Sequence, residues 1–185
     1  MDGEGFPELA IAARIADDVV IPHADRWDRE CVWPEPALRA LQQGGLGGLV
    51  VPERFGGLGR GLLELLRVCE VLGRADGSTA LCFGMHCVGA ACISAKATPE
   101  QAERLLAPIA AGRHLTTLAL SEPGTGSHFY LPQSQIRRVE RDAAYVLGGS
   151  KCFVTNGGHA DSYVVSAVSD DELALTARSV VGSLA

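Results

Sequence analysis

No cluster of lysine and arginine occurs in the sequence, and the net charge is −6. Phosphate backbones are held by concentrated positive charge, so a nucleic-acid partner is not expected. None of the six cysteines stands in a C-x-x-C pair. Cys82, Cys87 and Cys92 recur every five residues, a spacing that scatters them around a helix and does not gather them at a metal. With Cys31, Cys69 and Cys152 they are expected to be reduced thiols in a cytoplasmic protein. Met1 to Gly5 is acidic and no apolar h-region follows, so no secretory signal is read. No internal repeat, low-complexity tract or metal-ligand spacing is present, and no Ser/His/Asp constellation stands out. No catalytic residue and no metal are assigned.

Apolar residues at 47% and charged residues at 21% are ordinary for a soluble globular chain, and 185 residues allow one large core or two small domains. Ser78 to Ala95 carries no formal charge, close to membrane-spanning length. It also holds Ser78, Thr79, His86 and Ser94, and lacks basic flanks. A helix buried inside a soluble bundle is expected there, not a membrane span.

Helical periodicity fills the first half. Leu9, Ile11, Ala12, Ile15 and Val19 mark a helix over residues 7–31 that Pro22 interrupts. Pro36 suits the first turn of a short helix ending at Gln43, which Gly44-Gly45 stops. A glycine-rich loop runs from Gly44 to Gly61. Leu62 to Arg74 is amphipathic, with Leu62, Leu65, Leu66, Cys69 and Leu72 expected on the inner face. Thr98-Pro99-Glu100-Gln101 is a capping box opening a helix that Gly112 ends. His86, among apolar neighbours, is expected to be a satisfied core histidine, and His159 a solvated turn residue.

After Gly112 the period shortens. Leu115–Leu120, Gln135–Glu140, Ala144–Leu147, Cys152–Thr155 and Tyr163–Val168 read as strands, with turns at Arg141-Asp142 and Gly148-Gly149-Ser150. Leu173 to Arg178 looks weakly helical. The expected fold is α+β: a helical bundle over residues 1–112, an incomplete antiparallel β-domain over 113–168, and an atypical tail over 169–185.

Two stretches carry the chemistry. Leu115 to Leu120 breaks into Ser121-Glu122-Pro123-Gly124-Thr125-Gly126-Ser127, whose glycines let backbone N–H groups turn outward toward a ligand. Glu122 is expected to brace this loop and not to act as a base. In the second stretch, Lys151 to Gly158, Phe153 and Thr155 would share a strand face and meet one planar group.

With Gly149-Ser150-Lys151-Cys152-Phe153-Val154-Thr155-Asn156-Gly157-Gly158-His159-Ala160-Asp161 and the earlier Val51-Pro52-Glu53-Arg54-Phe55-Gly56-Gly57-Leu58-Gly59, the pattern resembles the flavin-dependent acyl-CoA dehydrogenases over roughly residues 7 to 168. That resemblance implies FAD held by Leu118, Leu120, Ser121, Gly126, Ser127, Phe153, Val154 and Thr155, with Ser127 also touching an acyl-CoA substrate. It further implies electron-transfer flavoprotein as a partner and a homo- or hetero-oligomer. Two residues depart from the family pattern: His128 stands where an aspartate is usual, and Gly148 where asparagine is common. The family's catalytic glutamate lies in a C-terminal helical domain, and no carboxylate here matches it. A truncated, inactive chain is therefore expected, or a non-catalytic subunit pairing with a full-length relative, or a flavin oxidase or monooxygenase on the same fold.

Overall fold

The computed structural model describes residues 6–139, 145–169 and 178–182. Among the described residues, six α-helices precede a mixed five-stranded sheet. Helix α1, Pro7–Ile15, runs into a π-helical segment, Ala16–Val20, and Pro22 separates these from α2, Ala24–Glu30. Proline lacks the N–H that would continue the ladder, so the interruption falls where the sequence puts it. Helix α3, Glu35–Gln43, carries Pro36 in its first turn, and Gly45 turns the chain with φ +83°. The glycine-rich stretch that follows holds two short 3-10 turns, Leu46–Gly48 and Glu53–Phe55.

Helices α4, Leu62–Ala75, and α5, Gly77–Lys96, pack against each other, and α6, Pro99–Ala110, lies against α5. The Asp76 carboxylate caps α5 by accepting from the N–H groups of Ser78 and Thr79. The capping box on α6 is formed from both sides, Gln101 N–H to Thr98 Oγ1 and Thr98 N–H to Gln101 Oε1. On α4 the inner face is Leu65, Val68 and Leu72, whereas Leu62 is 69% exposed and Leu66 is also exposed. A 3.6-residue period sets Leu62 and Leu66 on the flank of the stripe centred on Leu65, Val68 and Leu72, which corrects the expected inner face.

Helix α5 is apolar and long enough to cross a bilayer by length and composition, yet it is the central helix of the bundle. Phe83, Cys87, Ala90 and Ile93 are buried on it, and its contacts reach α4, α6 and the first strand. Its Gly89 lies against the Thr116 methyl and the Thr117 backbone, where an added Cβ would sit 3.0 Å from the Thr117 carbonyl carbon. His86 is buried with both ring nitrogens bonded, as expected of a satisfied core histidine. It accepts from the Thr116 N–H at Nδ1 (3.1 Å), while Nε2 bonds the Gly47 carbonyl (2.9 Å).

The sheet comprises β1 Thr116–Ala119, β2 Gln135–Arg138, β3 Tyr145–Gly148, β4 Ser162–Ser169 and β5 Arg178–Gly182. Strand β4 is its centre: β1 runs parallel to it, β2 runs parallel near its end, and β5 is antiparallel to it. Strands β2 and β3 are antiparallel. The α+β architecture therefore stands, with a mixed sheet where antiparallel pairing alone was expected; the long connection from Leu120 to Asp161, which carries β2 and β3, returns the chain so that β4 runs parallel to β1.

Two local expectations change. Cys152–Thr155 is not a strand, because Phe153 takes φ +53° and breaks the ladder. Arg178, placed at the end of a weak helix, opens β5, whose Ser179-Val180-Val181 run suits a strand. Glu140, the Arg141-Asp142 turn, Ala144 and Leu173–Ala177 lie outside the described residues.

Candidate functional site

Strand β1 delivers the glycine loop, and the segment 151–160 returns alongside it. The Cys152 N–H donates to the Ser121 carbonyl (2.9 Å), and the Thr117 hydroxyl donates to the Thr155 carbonyl (2.7 Å). These contacts tie the two stretches together without a regular ladder.

Lys151 drives the first tie. Its ammonium donates to the Leu120 carbonyl (3.1 Å), to Glu122 Oε1 (2.6 Å) and to Ser166 Oγ (3.0 Å). Glu122 is only 5% exposed and also accepts from the N–H groups of Gln133 and Ser134. Burial alone would push this carboxyl up. Lys151 and the N–H groups of Gln133 and Ser134 outweigh it and bring the pKa down to about 2. Glu122 is thus an ionised brace, as its place before Pro123 implied. Three hydrogen bonds and the lowered pKa hold it as a carboxylate reluctant to take up a proton, unlike a general base.

The loop beyond the brace is open. Gly124 and Gly126 have φ +86° and +54°, and nothing lies within 4 Å of where their Cβ atoms would be. Among the described residues, the N–H groups of Gly124, Gly126 and Ser127 have no protein partner. Ser127 is exposed, as is His128, whose ring meets Tyr130 edge-on at 5.8 Å.

On the facing segment Phe153 is 93% exposed, while Val154 and Thr155 are half-buried. Left-handed backbone at a bulky residue costs of order 1–3 kcal/mol and persists only where the surroundings enforce it. Here it lifts the benzyl ring off the surface. Phe153 and Thr155 therefore do not share a strand face, which corrects the alternation expected from the sequence.

Leu118, Leu120 and Ser121 are half-buried along β1 and its exit, joined to Cys152 and Lys151 as described. Gly126 and Ser127 lie on the outer turn, and no hydrogen bond joins them to residues 153–155 among the described residues. No described cavity is lined by both Ser127 and Thr155. Two residues with structural command over the site were given no role from sequence. Lys151 is the lone formal charge between Leu147 and Asp161, a signal that marks a buried counter-ion. Asn156 is buried and left-handed (φ +62°), with its side-chain amide bonded to Trp33 and to the Cys82 carbonyl.

The donor set fits the polar rim of a flat, hydrogen-bonding cofactor: outward N–H groups on a glycine loop, a serine hydroxyl, and an aromatic wall. A helical bundle seated on a sheet that carries such a loop defines a two-domain flavoprotein class. The N-terminal domain of acyl-CoA dehydrogenase matches residues 9–113, and the middle domain of acyl-CoA dehydrogenase matches residues 117–182. The chain belongs to the acyl-CoA dehydrogenase family. The mitochondrial isovaleryl-CoA dehydrogenase of Arabidopsis thaliana is 34% identical over 163 residues, 85% of this chain and 39% of that protein. Butyryl-CoA dehydrogenase from Megasphaera elsdenii superposes with a TM-score of 0.86 at 25% identity, covering 99% of this chain and 50% of that one. An acyl-CoA dehydrogenase from Bacillus anthracis complexed with FAD gives 0.82 at 28% identity, covering 99% and 32%. The chain spans half or less of the length of these relatives.

Proposed function

We propose that this chain forms the helical and flavin-facing part of an FAD-dependent enzyme that removes hydrogen from the α and β carbons of an acyl-CoA thioester. One observation carries it: a glycine loop with unpartnered N–H groups, tied at Ser121–Cys152 to a segment that holds Phe153 in the solvent. Bound FAD supplies the hydride acceptor for the β-carbon. Ser121, Gly126 and Ser127 offer hydrogen bonds to the ring edge and phosphates, which favour the negative charge that a reduced ring carries. In the proposed complex Leu118, Leu120 and Val154 would wall the ring, the exposed Phe153 would close over it, and Thr155 would add a hydroxyl. Ser127, exposed on that turn, is proposed to share its contact with the acyl-CoA. Electron-transfer flavoprotein is the proposed acceptor of the electrons, and the cytoplasm the proposed compartment.

The test is titration of FAD into the purified chain, read by flavin fluorescence anisotropy and visible absorbance. Phe153→Ala is expected to weaken binding by about tenfold, since it removes an aromatic stacking surface. Wild-type and Phe153→Ala chains that leave the flavin signal equally unchanged would refute the proposal.

A further inference from the structure

The segment that carries Phe153 and Thr155 is held by a residue far away in the helical bundle. The Trp33 indole N–H donates to Asn156 Oδ1 (3.0 Å) across 123 residues of sequence. Asn156 Nδ2 donates in turn to the Cys82 carbonyl in α5 (2.8 Å), across 74 residues. The Trp33 ring also stacks on His159, centroids 4.2 Å apart and planes 3° from parallel. His159, expected as a plainly solvated turn residue, is exposed yet covered on one ring face.

Asn156 is 4% exposed, and both ends of its amide are used. The Asn156 backbone carbonyl accepts from the N–H groups of His159 (3.0 Å) and Ala160 (2.9 Å), which closes the turn. The peptide just before it is pinned as well, through the Thr117 hydroxyl on the Thr155 carbonyl. Phe153 and Asn156 are left-handed residues three apart, and the Gly157 N–H donates to the Val154 carbonyl (2.9 Å), so the stretch forms a tight arch in place of a strand. Such an arch relaxes unless its ends are fixed. Cys152 is fixed on Ser121, and Asn156 is fixed on Trp33 and Cys82. A cavity of about 400 Å³ runs beside the staple, lined by Trp27, Cys31, Cys82 and Val154, so packing alone does not set the position of the arch.

We infer that Trp33 and Asn156 are positioning residues: this cross-domain staple fixes the arch 153–155 that faces the cofactor, and so lets the helical bundle set cofactor affinity. The inference rests on the proposed flavin site, but its main test does not need flavin. Trp33→Phe keeps the stack on His159 and removes the indole N–H. Asn156→Asp keeps the acceptor for Trp33, tolerates the left-handed backbone and removes the donor to Cys82.

Amide hydrogen exchange is measured on the wild-type and both variant chains. Loss of one buried hydrogen bond is expected to speed exchange at Gly157, His159 and Ala160 by about tenfold. Leu105 and Leu106 of α6 should be unchanged. In parallel, the FAD dissociation constant should rise by about fivefold to tenfold. Unchanged exchange at 157–160 in Trp33→Phe would overturn the inference. So would acceleration that includes α6, because that is general destabilisation. If the wild-type chain takes up no FAD, the proposed function falls. The exchange arm then still decides whether the staple holds the arch. Should Asn156→Asp fail to fold, Trp33→Phe decides alone.

Discussion

Replacing Lys151 with methionine tests the brace beneath the glycine loop. The substitution keeps the aliphatic stem and removes an ammonium that makes three contacts, to Leu120, Glu122 and Ser166. Removing one partner of a buried ion pair costs about 3–5 kcal/mol, because the other charge is stranded. Glu122 would keep the N–H groups of Gln133 and Ser134, so the lower end, about 3 kcal/mol, is expected. For a chain of this size each 1 kcal/mol moves the thermal midpoint by about 2–4 °C, so Lys151→Met should melt about 6–12 °C below wild type at pH 7. The pH dependence gives a second readout. The Glu122 carboxyl drops from its usual 4.5 to about 2 on folding. Its contribution is therefore complete above pH 4.5 and is lost as pH falls through about 2. Without Lys151 the folded carboxyl titrates higher, and the acid-dependent loss between those values should shrink. Circular dichroism melts at pH 7 and across the acid range measure both effects. A Lys151→Met midpoint within 2 °C of wild type at pH 7, on the roughly 2–4 °C per kcal/mol scale, would refute the assignment of the pair as a brace.

Three further outcomes are expected. Burial holds the His86 pKa below its usual 6.5 despite the bonds to Gly47 and Thr116, so the unfolded chain takes up a proton that the fold resists. Stability should fall as pH drops below 6.5, and urea titrations at successive pH values that show no such slope in wild type would contradict it. Gly89→Val should destabilise by about 1–3 kcal/mol through overpacking against the β1 backbone, read as a lower urea midpoint; an unchanged midpoint would mean β1 does not rest on α5. Phe153→Gly removes the left-handed penalty and should hold or raise the melting temperature while weakening FAD binding by about tenfold. A lowered midpoint would show that the ring contributes to the folded core.

Much of this was legible in the sequence because the signals are local. Pro22, Gly44-Gly45 and the Thr98–Gln101 box punctuate the helices with residues whose backbone chemistry leaves few alternatives. His86 could be placed from its apolar neighbours alone. The failures have a common cause. The parallel course of β1 and β4, the bond from Trp33 to Asn156 and the identity of Glu122 as the partner of Lys151 depend on residues tens of positions away, which no short window contains. Cys152–Thr155 misled for a different reason. Its β-branched and aromatic composition suits a strand, but the tertiary ties at Cys152, Thr155 and Asn156 hold it as an arch.

The seating of β1 on α5 has a consequence for anyone dissecting the molecule. Cutting the chain at the boundary near Gly112 would strip Thr116 and Thr117 from a helix whose composition is as compatible with lipid as with water. His86 would lose one of its two anchors, and the bared side of α5 would be left to seek detergent, micelles or another copy of itself. The bundle is thus expected to fare poorly as an excised fragment, because β1 covers one side of its most apolar helix.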